Sequence, residues 1–159
     1  MHERMDWSVD GADWPNRERS QRVLVAGLEW HVQQFNEAGD DAPLVLLLHG
    51  TGSSSHSWRD VAPALARNAR VLVPDLPGHA FTQMPSPSSE QSLPGMAQRV
   101  AGLLNEIGLA PQVIVGHSAG AAIAARMVLS RQAKPAALVS LNGAFLGFGG
   151  IAGAIFSPL

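Results

Sequence analysis

The chain of 159 residues contains no cysteine, which excludes a disulfide scaffold, a thiolate zinc site and a thiol nucleophile. Charge is scarce. Charged residues are 15% of the chain, and 11 Lys plus Arg against 13 Asp plus Glu give a net charge of -2. A nucleic-acid binder carries a basic patch, and none is visible, so nucleic acid is not an expected partner. Lys134 is the single lysine, so there is no Walker-type Gly-Lys-Ser/Thr loop. The start, Met1-His2-Glu3-Arg4-Met5-Asp6, lacks the basic-then-apolar order of a secretory signal. A soluble, cytoplasmic domain is the expectation. One absence bears on chemistry: no histidine follows His117, and no Asp or Glu follows Glu106.

What is present is apolar and periodic. Hydrophobic residues make up 46% of the chain, enough for a sizeable core, and no repeat or low-complexity tract interrupts it. Residues 1–20 read as a polar lead-in whose Trp7 and Trp14 dock on the domain. Val23 to Val25 and Leu28 to Gln33, joined at Ala26-Gly27, predict a hairpin at a sheet edge. Leu44 to Leu48 is apolar without alternation, the pattern of a strand covered on both faces. Val71 to Val73, Val113 to Val115 and Ala137 to Leu141 predict three more buried strands. Between them, Ser57 to Ala69, a stripe of Met96, Val100, Leu103, Leu104 and Ile107 closed by Gly108, and Ala119 to Ser130 predict helices. Three successive strand–helix–strand units imply an α/β fold with a mostly parallel sheet and right-handed crossovers. Residues 21–142 are expected to form that core, incomplete, and residues 143–159 an apolar start of a cap or a connection.

Gly116-His117-Ser118-Ala119-Gly120 lies between a predicted strand and a predicted helix. In a Gly-x-Ser-x-Gly turn of this kind the serine sits on a sharp, strained corner that lifts its hydroxyl above the sheet, and the glycines leave room for strand and helix to approach. Ser118 is therefore the candidate nucleophile. His49-Gly50-Thr51-Gly52 ends the first buried strand and supplies a second candidate turn. The backbone N–H groups of Thr51 and Ala119 would form an oxyanion hole, each donor contributing about 3 kcal/mol to the transition state. His49, Gly50, Gly52, Gly116, His117 and Gly120 support these turns. A glycine turn with an idle serine is the alternative. Neither turn has Gly-x-Gly-x-x-Gly spacing, so dinucleotide binding is disfavoured. His49 and His79 read as makers of local hydrogen bonds. His2, His31 and His56 lack ligand-like spacing, so neither a metal nor a cofactor is expected.

Together, His49-Gly50, Pro74-Asp75-Leu76-Pro77-Gly78-His79 and Gly116 to Gly120, in that order, resemble the α/β-hydrolase superfamily from about Arg22 onward. Within it the wording is similar to the magnesium chelatase accessory proteins of bacteriochlorophyll biosynthesis. The stretches that carry this are Asp13 to Glu18, His49 to Gly52 with Ser57 to Asp60, Ser92 to Met96, Ser140 to Ala144 and Phe156 to Leu159. The resemblance implies a role in photosynthetic pigment synthesis, a small hydrophobic, porphyrin-like substrate, contact with magnesium chelatase and a place at the edge of photosynthetic membranes. Ala80 departs from the pattern, standing where the superfamily has glycine, which questions the local turn.

In this fold the chain order is nucleophile, acid, histidine, and neither partner follows Ser118. The expectation is the N-terminal part of a hydrolase, truncated before the cap, the last strands, the acid and the base, and inactive alone. A complete non-catalytic relative that binds a tetrapyrrole or the chelatase is the rival. Residues 136–159 carry no charge. Phe145, Leu146, Phe148, Ile151, Ile155 and Phe156 there call for a covering surface. A membrane span is the weaker reading of that segment, interrupted as it is by glycines, Asn142 and Pro158.

Overall fold

The computed structural model describes residues 5–85 and 91–145. The strands are β1 (Ser20–Val25), β2 (Leu28–Phe35), β3 (Leu44–Leu48), β4 (Arg70–Pro74), β5 (Val113–His117) and β6 (Ala137–Leu141). They form one sheet in the order β1-β2-β4-β3-β5-β6. β1 and β2 pair antiparallel, as do β2 and β4. β4, β3, β5 and β6 run parallel. The crossovers are α1 (Val61–Ala66), α2 (Leu93–Glu106) and α3 (Ala119–Leu129). The α/β reading, with an antiparallel hairpin at the edge, is what forms.

The unbroken apolar run of β3 now has its cause. Leu44, Leu46 and Leu48 enter a cluster with Trp30, Val32, Leu72, Ile114 and residues of α2 and α3, including Met96, Val100, Ile123 and Met127. Val45 and Leu47 point the other way, into a cluster with Phe35, Val71, Val73 and, from the α1 side, Trp58, Ala62 and Ala66. Side chains alternate between two buried layers, so no polar position is left. Each fully buried leucine contributes about 2 kcal/mol.

Local chemistry sets the ends of the elements. The hairpin turn Ala26-Gly27 has φ of 49° and 75°, both positive, as a two-residue loop matched to strand twist requires. Ser92 caps α2, its Oγ accepting the Gly95 N–H at 3.3 Å. Gly108, at φ 68°, turns the chain out of that helix.

Two expectations need correction. The helix predicted over Ser57 to Ala69 is instead a 3₁₀ turn over Ser55–Trp58 followed by the six-residue α1. Ser54 Oγ accepts from the His56 N–H and starts the turn early. The Asp60 side chain makes no cap bond at α1, and Pro63 in its first turn has no N–H to donate. The strand predicted at Ala137 to Leu141 forms, but all five of its residues are exposed. Among the described residues it pairs with β5 alone. The apolar segment beyond Phe145 lies outside the described residues.

Ala80 keeps the turn that glycine would ease: its φ is 41°, a region that costs a residue with a Cβ about 1–2 kcal/mol. Ala80→Gly is therefore expected to stabilise the fold by up to about 1 kcal/mol in urea unfolding. Gly102→Ala, in α2 where an added Cβ meets nothing within 4 Å, should add about 0.5–1 kcal/mol. Gly120→Ala should cost about 3 kcal/mol or more, because its Cβ would lie 2.3 Å from the Leu48 carbonyl oxygen.

Candidate active site

Ser118 joins β5 to α3 with φ 52° and ψ -118°. A non-glycine residue holds such a conformation only where its surroundings dictate it. Here they do. The Ser118 N–H donates to the Leu141 carbonyl at 3.0 Å, and its own carbonyl accepts from Ala121 and Ala144 N–H, each at 3.1 Å. The exposed strand β6 thus has a use, since its last residue and the turn beyond it clasp the corner from one side.

The flanking glycines do what the sequence pattern asks of them. A Cβ on Gly116 would lie 2.4 Å from the backbone of Ala121, and one on Gly120 would lie 2.5 Å from the His49 carbonyl. Strand β5, helix α3 and the end of β3 meet backbone to backbone. That contact carries the His49-Gly50-Thr51-Gly52 turn to the serine: a Cβ on Gly50 would lie 3.0 Å from Ser118 Cβ and 3.3 Å from His117 Nδ1. Thr51 and Gly52 are exposed beside it, with Gly52 at φ 70°. Ala119 opens α3, where backbone N–H groups lack intrahelical acceptors. His117 is exposed. The two turns that sequence places far apart are therefore one surface, with a half-buried serine between them.

His49 is fully buried and makes two bonds. Its Nε2 accepts the Leu76 N–H at 2.9 Å, and its Nδ1 lies 2.8 Å from the Gly50 carbonyl, to which it donates. One ring nitrogen accepting and the other donating is the pattern of a neutral imidazole. Burial pushes its pKa from 6.5 down to about 4. His49 therefore ties the turn after β3 to the turn after β4 and is held uncharged.

Below this lies a polar cluster that sequence reading passed over. His31 and Asp75 are both fully buried, with Nδ1 2.7 Å from Oδ2. Asp75 also accepts from the N–H of Ser55 at 2.6 Å and of Phe81 at 3.4 Å. Burial works to raise the Asp75 pKa, but the hydrogen bonds from His31 and from the Ser55 N–H outweigh it, and the carboxyl is held below the ordinary value. The lead-in closes the cluster: Trp7 and Trp14 each set a ring 4.9 Å from Phe81, edge to face. The Trp14 indole donates to Ser55 Oγ at 3.3 Å, and Asn16 to the Arg59 carbonyl at 3.0 Å. Asp75 was visible within Pro74 to His79, but nothing in the spacing of His31 marks it as a partner. Among the described residues no cluster of His, Asp and Glu is arranged to hold a metal ion. No helix there is long and apolar enough to cross a membrane.

Comparison with known proteins bears on the fold. A family model described as the alpha/beta hydrolase fold matches residues 43–151. The magnesium-chelatase 30 kDa subunit of Rhodobacter capsulatus is 37% identical over 152 residues, which is 96% of this chain and 52% of that protein. Bifunctional epoxide hydrolase 2 of Sus scrofa is 35% identical over 78% of this chain and 22% of its own. Among solved structures, an epoxide hydrolase from Vigna radiata superposes with a TM-score of 0.69 at 29% identity, covering 82% of this chain and 40% of its own. An alpha/beta hydrolase fold protein from Burkholderia ambifaria gives 0.71 at 25% identity, covering 94% and 49%. The chain spans about half, or less, of the length of these relatives.

The buried neutral His49 has a consequence in acid. Unfolded, it gains a proton as pH falls below 6.5; folded, it resists until about pH 4. The unfolded state binds more protons across that window, so stability falls as pH drops through it. Those 2.5 units amount to about 3 kcal/mol. Urea midpoints measured between pH 7 and pH 4 should show this slope, and His49→Gln should flatten it while lowering stability at pH 7.

Proposed function

The chain belongs to the alpha/beta hydrolase fold family, and from that premise we propose that it carries the nucleophile and the oxyanion donors of a serine hydrolase. Ser118 Oγ attacks an acyl carbon, and the backbone N–H groups of Thr51 and Ala119 stabilise the oxyanion. The observation that carries this reading is the strained Ser118, at φ 52°, with Gly50 pressed against its Cβ. The dipole of α3 adds positive potential at the same point.

Chemistry narrows the bond that is cleaved. A serine oxygen that opens an epoxide leaves an ether, which water does not readily cleave. A serine oxygen that attacks an ester leaves an ester, which water hydrolyses. Ester or related acyl hydrolysis therefore suits Ser118, even though epoxide hydrolases stand among the relatives. The activating acid and base are not assigned within these 159 residues, since neither Asp, Glu nor His follows Ser118. Likeness to the Rhodobacter capsulatus magnesium-chelatase subunit supports a role beside magnesium chelatase, and the motif resemblance extends this proposal to bacteriochlorophyll synthesis, a porphyrin-like substrate and a cytoplasmic place at the edge of photosynthetic membranes.

The same likeness supports a second reading, in which the protein binds a tetrapyrrole or the chelatase without catalysis. A fluorophosphonate probe applied to the full-length protein separates the two. Labelling that disappears in Ser118→Ala is the expected result, and its absence rejects the hydrolase. Saturable porphyrin binding followed by absorbance, unchanged in Ser118→Ala, would favour the second.

A further inference from the structure

A second serine stands in the hydrogen-bond order of a nucleophilic triad, away from Ser118. Ser20 opens β1, and its Oγ lies 3.0 Å from His31 Nε2. His31 Nδ1 in turn lies 2.7 Å from Asp75 Oδ2. The histidine and the aspartate are fully buried, whereas the serine is half-buried. Only the hydroxyl end of the chain of groups faces outward. In the sheet, three strands separate β1 from β5, so this cluster and the Ser118 corner are different places.

The direction of the bonds follows from the donors available. Ionised Asp75 can only accept, and it already takes the N–H groups of Ser55 and Phe81. In its neutral form with the proton on Nδ1, His31 donates to Asp75 and keeps Nε2 as an acceptor. Ser20 O–H then donates to Nε2, which is the arrangement in which an imidazole withdraws a serine proton. Gln33 adds to it: its Nε2 lies 3.2 Å from Ser20 Oγ, and an amide N–H there favours negative charge on that oxygen. The same nitrogen also serves the Pro15 carbonyl at 2.6 Å and the Asn16 carbonyl at 3.2 Å. Its two hydrogens are shared among three acceptors, so Gln33 has no donor to spare for the oxyanion of a tetrahedral intermediate.

We propose that Ser20 is an acyl-accepting modification site, which reacts once with small activated acyl donors and keeps the group. Ser20 Oγ bonds to the acyl carbon while its proton passes to His31 Nε2. The bond to the leaving group breaks, the leaving group takes the electron pair, and it then removes the proton from His31. The products are the Ser20 ester and the protonated leaving group. An activated donor brings a good leaving group and acylates without an oxyanion donor, whereas the Ser20 ester is unactivated; with Gln33 engaged and His31 beneath aromatic rings, Trp7 at 5.1 Å and Phe81 at 5.4 Å, its hydrolysis is slow.

The probe is p-nitrophenyl acetate, applied to the full chain and mapped by mass spectrometry after cleavage at glutamate. The peptide from Arg19 to Glu29 contains Ser20 as its one hydroxyl residue and has no lysine, so an acetyl group on it has one address. Ser118 falls in a separate peptide, which keeps this outcome independent of the hydrolase reading. Acetylation of Ser20 should exceed that of the exposed Ser8 and Ser57 by on the order of 100-fold, the range of a positioned general base. It should fall to their level in His31→Gln and, for the unaltered chain, in concentrated urea. An unmodified peptide in the folded protein, or a Ser20 adduct that forms as fast in urea, overturns the proposal. The urea comparison decides even if His31→Gln does not fold.

Discussion

Backbone contact between the end of β3 and the start of α3 governs where everything chemical in this protein stands. Gly120 lies where any side chain would strike the carbonyls of Leu48 and His49. Because it has none, the helix seats directly on the strand end, and Gly50 is drawn to Ser118. Gly116 plays the same part between β5 and the first turn of α3. Remove either close approach and the serine would sit on an ordinary loop, without the His49-Gly50 turn at its side. The positive φ of Ser118 follows from this constraint. The chain has too little room to enter the helix by a relaxed path, and bonds to Leu141, Ala121 and Ala144 hold it there.

Buried polar groups then lock the loops that this contact brings together. Burying His31 and Asp75 carries a large desolvation cost, which their mutual bond and two backbone N–H donors offset. The geometry secures position more than stability. Asp75 touches the segment after β3 through Ser55 and the segment after β4 through Phe81. His49 makes the parallel link from Gly50 to Leu76 without any charge. Two turns from neighbouring strands are thus tied together, beneath Trp7, Trp14 and Phe81. Arg17 stacks on Trp7 at 4.6 Å.

Much of this was legible beforehand, for reasons that differ by element. Leu44 to Leu48 could be read as a doubly covered strand because burial on both faces erases alternation, which is a property of the segment itself. The serine corner could be read because its Gly-x-Ser-x-Gly pattern is local and Gly116 is demanded by Ala121 five residues on, although Gly120 is demanded by the distant Leu48 and His49. α1 was misjudged because a 3₁₀ turn and a helix share the spacing of Trp58, Val61 and Leu65. The exposure of β6 was hidden for another reason. Its apolar composition is that of a buried strand, and only its pairing shows that, among the described residues, it has a neighbour on one side alone.

The sequence by itself determined the strands, α2 and α3, the order of the elements and the identity of the corner serine, since periodicity and turn chemistry act over a few residues. It also determined that these 159 residues carry no thiol, because composition alone decides that. Tertiary structure decided the rest. Ser20, His31 and Asp75 lie 11 and 44 residues apart along the chain, and no local rule connects them. They meet because β1 folds back on β2 in a register that sets Ser20 opposite Gln33, beside His31. β2 then lies against β4 so that Val32 faces Pro74, which brings Asp75 to the histidine. Pairing of this kind depends on strand order and register, which arise only when distant segments bury one another.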